Sequence, residues 1–266
     1  MRIVLLLLII LHGLIHLLGF AKAFQFGEME QFTKEISRPM GILWFLAALF
    51  FIVTALGLLL RKDWWPLLGI VVVILSQSLI FTTWADAKYG TIANVIIMVV
   101  AIVGMSNLIF ERGFKEDVAS AMNIKAPTPV LLTEEDLAPL PRCVQKYLVY
   151  VGAVGKPKIN NVKIVFKGEM RDKGKDWFKF TSEQYNFFVS PTRLFFMKAQ
   201  VMGLPTYGYH KYINEAASMQ IKLLSLFSVV DLAEPELYPT ETVTFFNDLC
   251  LFAPAALIDD RISWET

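Results

Sequence analysis

Four uncharged apolar runs fill most of the first 110 positions: Ile3 to Phe20, Gly41 to Leu60, Trp65 to Trp84 and Ile92 to Phe110. Each is near the roughly 20 residues that a helix rising about 1.5 Å per residue needs to cross a hydrocarbon core of about 30 Å. The charges lie elsewhere. Of the 49 formally charged residues (25 basic plus 24 acidic), 12 fall in positions 1–110 and 37 in the remaining 156. Trp44, Trp64, Trp65 and Trp84 sit near run ends, where interfacial tryptophans are expected. Residues 1–112 are therefore read as a membrane α-helical bundle of four transmembrane helices, packed antiparallel.

The first run also has the outline of a cleavable secretory signal, with Arg2 ahead of it and Ala21-Lys22-Ala23 behind. Its 18-residue core exceeds the usual 7–15, and retention as a span is the reading taken. An N-terminus inside places Arg2, Arg61, Lys62, Arg112 and Lys115 in the cytoplasm, against Lys22, Lys34, Arg38 and Lys88 outside. This gives a multi-pass protein of the bacterial cytoplasmic membrane, with its C-terminal half cytoplasmic after four crossings.

Polar groups inside lipid turn toward partners or cavities. His12 and His16 are four residues apart and share one helix face. Measured along antiparallel helices, His16, Gln77, Asp86 and Asn94 reach a similar level, so His12, His16, Gln77, Asp86 and Asn94 are the candidate intramembrane pocket. A bis-histidine haem does not fit, because two histidines on one helix cannot ligate opposite porphyrin faces. Met40, Met98 and Met105 offer partners only in principle. His12, His16 and Asp86 supply three metal ligands at most, with no spacing that demands a metal. The expectation is no cofactor and no metal. Interhelical packing, helped by Gly13, Gly19, Gly41 and Gly90, and a small-molecule or proton-handling pocket both stay open.

Residues 113–140 read as a linker spaced by Pro127, Pro129 and Pro139, with a capping box starting at Thr133. Pro141 opens a helix through Tyr147 and Leu148 that stops at Gly152 and docks on a sheet. From Lys158 the period becomes two: Val162-Ile164-Phe166, Phe195-Met197-Ala199-Val201 and Ala217-Met219-Ile221-Leu223. Asp172-Lys173-Gly174, Ser190-Pro191 and Gly203-Leu204-Pro205 mark turns. A helix over Thr240 to Leu251 follows, ending before Pro254. Ile262 to Thr266 read as the opening of a further strand, so the sheet is expected to be incomplete with an open edge. Residues 141–266 are thus an α+β domain with a curved antiparallel sheet and flanking helices. A sheet with a helix in its mouth encloses an apolar cavity if unfilled. Its candidate lining is Phe195, Met197, Tyr207, Tyr209, His210, Phe245 and Phe246.

Net charge of +1 gives no footprint for nucleic acid. No Walker loop, Gly-x-Ser-x-Gly elbow, His-Glu-x-x-His helix or dinucleotide fingerprint occurs. His210 lacks a nucleophile at informative spacing and reads as a surface or strand-edge residue. Cys143 and Cys250 read as apolar-face helix residues.

His12 to Phe20, with Asp86-Ala87-Lys88-Tyr89-Gly90-Thr91-Ile92-Ala93-Asn94, resembles the start of uncharacterised bacterial four-helix membrane proteins. Gly90 to Asn94 is similar to the DoxX-like group. Leu140-Pro141 through Gly152, Gly168-Glu169-Met170-Arg171, and Pro239-Thr240-Glu241 through Pro254 to Trp264-Glu265 resemble the domain of unknown function that follows in those proteins. Members usually continue past Trp264-Glu265, which fits a truncated chain. The resemblance brings no activity and assigns no catalytic residue. The β-rich part is similar, at fold level only, to envelope lipoprotein carriers that hold acyl chains. The function expected is a non-enzymatic membrane protein whose β-domain binds an amphiphile or partner near the lipid bilayer. The alternative is a membrane redox or transport component using the intramembrane pocket. Oligomeric state is left open.

Overall fold

The computed structural model describes residues 2–26, 33–128, 130–214, 216–233, 235 and 237–264. The chain forms two compact units, Met1–Leu108 and Ile109–Thr266. Among the described residues, four helices are long and apolar enough to cross a membrane: α1 (Arg2–Phe24), α2 (Arg38–Leu59) and α3 (Trp65–Thr82) of the first unit, and α5 (Gly90–Met122), which begins in the first unit and ends in the second. A single turn, α4 (Trp84–Ala87), lies between the last two. Thr83, with φ −123° and ψ 38°, breaks α3 from α4, so the third apolar run is two helices. Pro39 and Pro66 occupy first-turn positions of α2 and α3, where a missing N–H is harmless. Arg2 donates to the carbonyls of Leu58 and Leu59, satisfying C-terminal groups that α2 leaves open.

Close approach of α1 and α2 depends on missing side chains. A Cβ on Gly19 would stand 2.4 Å from the Trp44 ring, and one on Gly41 would stand 2.3 Å from the Ala23 Cβ. Both distances are sterically closed, so these glycines bring the helices together in the way small residues do in lipid. The core of this unit gathers Ile9, Phe51, Ala55, Val72, Val73 and Ile97. The last turns of α5, Gly113 to Met122, carry the chain into the stretch read as linker. There Thr133 and Asp136 cap each other reciprocally, as the sequence spacing implies.

The second unit holds α6 (Arg142–Tyr150), α7 (Tyr238–Phe252) and six strands: β1 (Asn161–Met170), β2 (Phe178–Phe187), β3 (Thr192–Val201), β4 (Leu204–Ile213), β5 (Ala216–Leu223) and β6 (Phe227–Ala233). All neighbours are antiparallel in the order β1-β2-β3-β4-β5-β6, an open meander with unpaired edges at β1 and β6. The expected turn at Gly203-Leu204-Pro205 is tighter: Met202-Gly203 makes it, and Leu204 and Pro205 already belong to β4.

Strands β1 and β6 are largely exposed, while both faces of the central strands are covered. One packs Phe187, Leu194, Phe196 and Tyr209 against Phe114 and Ala121 on the end of α5. The other receives Glu241 and Asp248 of α7. Contrary to the sequence reading, α6 does not dock on a sheet face. Val144 and Leu148 join Leu249, Ala255 and Leu257 in a core with α7 and the Phe188 turn, and the Tyr147 hydroxyl donates to the Cys250 carbonyl. Cys143 is exposed, not on an apolar face, and Cys250 is half-buried. Ile262 to Trp264 form no strand; Trp264 packs on Phe246 instead, with ring centroids 5.9 Å apart. Glu265 and Thr266 of that expected strand, and Pro129 of the linker, lie outside the described residues.

Candidate functional site

In the helical unit, α1, α3 and α5 meet around a buried set of neutral polar groups. His12 Nε2 lies 2.9 Å from Asn94 Oδ1, and His16 Nε2 lies 2.9 Å from Ser76 Oγ. Nδ1 of His16 lies 2.8 Å from the His12 carbonyl, which can only accept, so the proton of His16 sits on Nδ1. His16 Nε2 must then accept from the Ser76 hydroxyl. Ser76 in turn accepts from Asn94 Nδ2 at 3.0 Å, and Asn94 Oδ1 accepts from His12 Nε2. Asn94 also donates to Gln77 Oε1 at 3.0 Å, and Gln77 donates to Thr91 at 3.1 Å. The circuit closes with both imidazoles neutral. Phe51 and Trp44 of α2 wall it, their rings 4.9 Å from His12 and 5.1 Å from His16 respectively.

His12, His16, Gln77 and Asn94 are therefore together, and Ser76 is the member that the sequence reading missed. Asp86 is not among them. It is half-buried on α4, where it accepts from the Thr33 backbone N–H at 3.0 Å and hydroxyl at 2.9 Å. Its depth along the helix is right, but the break at Thr83 separates it from α3. With Asp86 elsewhere, His12 and His16 have no third ligand, and among the described residues no group of three His, Cys, Asp or Glu side chains is placed to hold a metal. Gln77, Thr91 and Asn94 form the polar floor of a groove of about 610 Å³ between α3 and α5. Its walls include Ile74, Phe81, Val95 and Val99, all exposed at the outer surface of the unit.

The β-rich unit divides the other candidate set between two faces. Phe195 pairs with His210 and Met197 with Gly208, while the intervening residues pair Phe196 with Tyr209 and Lys198 with Tyr207. Because side chains alternate across a strand, Phe195, Met197 and His210 face α7, and Tyr207 and Tyr209 face the end of α5. These residues cannot line one cavity. Tyr209 donates to Asp117 at 2.7 Å; burial and that bond push its phenol up from the ordinary value.

Facing α7 is a buried ionic cluster that was not foreseen. Arg193 donates through Nη1 to Glu241 at 3.0 Å and through Nε to Asp248 at 2.9 Å. Gln184 and Asn186 also donate to Asp248, at 2.6 and 3.1 Å. His210 Nδ1 lies 3.3 Å from the second oxygen of Glu241; the residue is half-buried and sits on an inner strand, not an edge strand. Burial raises the Glu241 carboxyl, but the His210 hydrogen bond and the Arg193 charge outweigh it and hold the group below the ordinary range. The available signal was Gln184 and Asn186 alternating with Tyr185 and Phe187, opposite two acids seven apart on one helix.

Beside this cluster, a cavity of about 480 Å³ lies between α7 and the lower end of the sheet. Phe188, Tyr212, Phe245, Phe246 and Leu249 give it apolar walls, and Asn214, Thr242 and the ion pair of Arg261 with Asp259 supply polar groups. Phe245 and Phe246 are thus the two candidate pocket residues that line it.

Fold and sites together define a two-part protein: a bundle of helices long and apolar enough for a membrane, followed by an antiparallel β-rich domain backed by α7. The chain belongs to the family of unknown function DUF6544, which matches residues 130–266. That match begins after the helices and carries nothing about DoxX-like identity. No curated protein and no solved structure matches the chain.

Proposed function

We propose that the chain is a non-enzymatic, multi-pass protein of the bacterial cytoplasmic membrane whose β-rich domain binds an amphiphile beside the bilayer. The observation that carries this reading is the cavity against α7. Its volume of about 480 Å³ lies within the range of roughly 300–1,000 Å³ typical of small-molecule sites. Aromatic walls suit an acyl or isoprenoid body, and Asn214 with the Arg261–Asp259 pair suits a polar head of no net charge. The likeness to lipoprotein carriers belongs to this proposal, as do the DoxX-like character of the helices, the inside N-terminus and the cytoplasmic C-terminal half. The experiment is native mass spectrometry of the full chain released from detergent, wild type beside Leu249→Trp, which fills the cavity. A bound amphiphile lost in the variant supports the reading; wild type free of ligand sinks it. A reporter fused after Pro127 locates the domain, and an extracytoplasmic reporter overturns the proposed orientation.

A second reading rests on the groove between α3 and α5. Apolar walls over a floor of Gln77, Thr91 and Asn94 suit an uncharged, lipid-soluble molecule with a hydrogen-bonding head, as a redox or transport component requires. In that case the ligand follows the groove, and Gln77→Leu abolishes binding while Leu249→Trp does not.

A further inference from the structure

The sheet has two unlike ends. At one, three hairpins turn at 171–177, at Met202-Gly203 and at 224–226. Exposed apolar side chains stand on these tips, Met202 at 95%, Phe227 63%, Trp177 58% and Leu226 43%, and the 171–177 turn also carries Arg171, Asp172, Lys173, Lys175 and Asp176. Two of the tips also place such residues in left-handed backbone. Met202 has φ +53° ahead of Gly203 at +79°, and Leu224 has φ +56° ahead of Ser225 at +53°. Hairpin positions with positive φ normally take Asn, Asp or Gly, because larger side chains crowd the backbone there. The β4–β5 turn at the opposite end follows that rule, with Asn214 at φ +47°. Turn geometry therefore does not select Met202 or Leu224, and solubility selects against the exposed Met202.

The same end is where the chain enters this unit. Lys222, next to the last tip, places its ammonium 4.6 Å from the centroid of the Phe110 ring. Glu111 pairs with Lys198, Asp117 lies farther along with Lys211 at 2.8 Å, and Ala121 reaches the Phe187 end of β2. The final turns of α5 therefore run from the hairpin end toward the opposite end. Phe110, at the hairpin end, is also the last residue of the fourth apolar run.

We propose that the three hairpin tips form a lipid-seating surface, with Met202, Leu226 and Phe227 entering the headgroup and upper acyl region of the bilayer from which α5 emerges. This inference rests on the reading of the helices as membrane spans, and it holds whichever side the domain occupies. At about 3.3 Å per residue, Val201 extends roughly 10 Å beyond Lys198 toward that bilayer. Trp177 stacks under the Arg171 guanidinium, 4.7 Å from its ring centroid, an amphipathic pair suited to the headgroup level. A bilayer is favoured over a protein partner because the apolar groups stand on separate tips, the first two of them flanking an open hollow of about 860 Å³ lined in part by Arg171, Asp172, Lys175, Trp177 and Met202. Mobile headgroups fill such a hollow without matching its shape.

The test uses the full chain in nanodiscs of mixed phosphatidylcholine and phosphatidylglycerol. Single nitroxide labels are placed at Met202→Cys and Phe227→Cys in a Cys143→Ser, Cys250→Ser background. Tyr150→Cys, exposed on α6 away from the tips, reports water, and Leu56→Cys on the outer face of α2 reports lipid. Collision with oxygen relative to a water-soluble nickel chelate is expected to be several-fold higher at 202 and 227 than at 150, approaching the value at 56. If 202 and 227 match 150 while 56 stays lipid-like, the seating surface is wrong and the spans stand. If 56 also reads as aqueous, the spanning reading fails and takes this proposal with it.

Discussion

The bundle buries His12, His16, Ser76 and Asn94 with every interaction closing between neutral groups, whereas the sheet and α7 bury Arg193, Glu241 and Asp248 as ions in direct contact. With the helices read as membrane spans, solvent explains the contrast. In hydrocarbon an ion has no water to relax against, so affordable polarity is limited to groups that satisfy one another fully. The β-rich unit can bury two carboxylates because Arg193, Gln184 and Asn186 surround them and His210 reaches toward solvent. Lone charges of this kind are expensive to leave unpaired, while lone neutral groups are less so.

That difference sets the order of expected effects. Arg193→Met strands both Glu241 and Asp248 and should destabilise the β-rich unit by about 3–5 kcal/mol, read from hydrogen exchange in β2 to β4. Adding Glu241→Leu and Asp248→Leu should recover much of the loss; no recovery would show that Arg193 acts through packing. Asn94→Leu removes the hub of the neutral circuit and should cost about 1–2 kcal/mol in detergent unfolding, since intramembrane hydrogen bonds are individually modest. A loss equal to that of Arg193→Met would erase the distinction between the two clusters.

Acidification probes the ionic cluster more gently. Because the folded protein holds Glu241 below its ordinary range, that group's contribution is complete above the unfolded value, about 4.3, and is lost as pH falls through the folded one. The β-rich unit should therefore weaken below about pH 4, and Glu241→Gln should flatten that part of the stability profile. The smallest effect is expected from Asp86→Asn. Its partners Thr33 and Lys34 lie outside the buried circuit, so unfolding of the helical unit should shift clearly less than it does in Asn94→Leu. A shift comparable with that of Asn94→Leu would return Asp86 to the intramembrane site.

The four long helices were legible because length and apolarity are local properties, and hairpin spacing likewise revealed the sheet. Sites were legible only in part. His12 and His16 share a face by helical period alone, and Asn94 and Gln77 fall at their depth. Depth does not fix azimuth, however, and the break at Thr83 put Asp86 outside. Ser76 escaped notice because one hydroxyl in an apolar helix commonly bonds its own backbone, as Ser78 does to the Ile74 carbonyl at 2.9 Å. In the β-rich half the error was one of parity. Gathering Tyr207 and Tyr209 with Phe195 and Met197 ignored the fact that cross-strand register decides which face each aromatic shares.

His16 keeps its Nδ1 proton against a carbonyl that has none to return, and this gives the bundle's circuit a direction. Gln77 holds the Asn94 amide in place, while the Ser76 hydroxyl has an acceptor on either side, His16 Nε2 at 2.9 Å and Asn94 Oδ1 at 3.1 Å. The cluster is thus a latch across three helices: it records that α1, α3 and α5 have found one another.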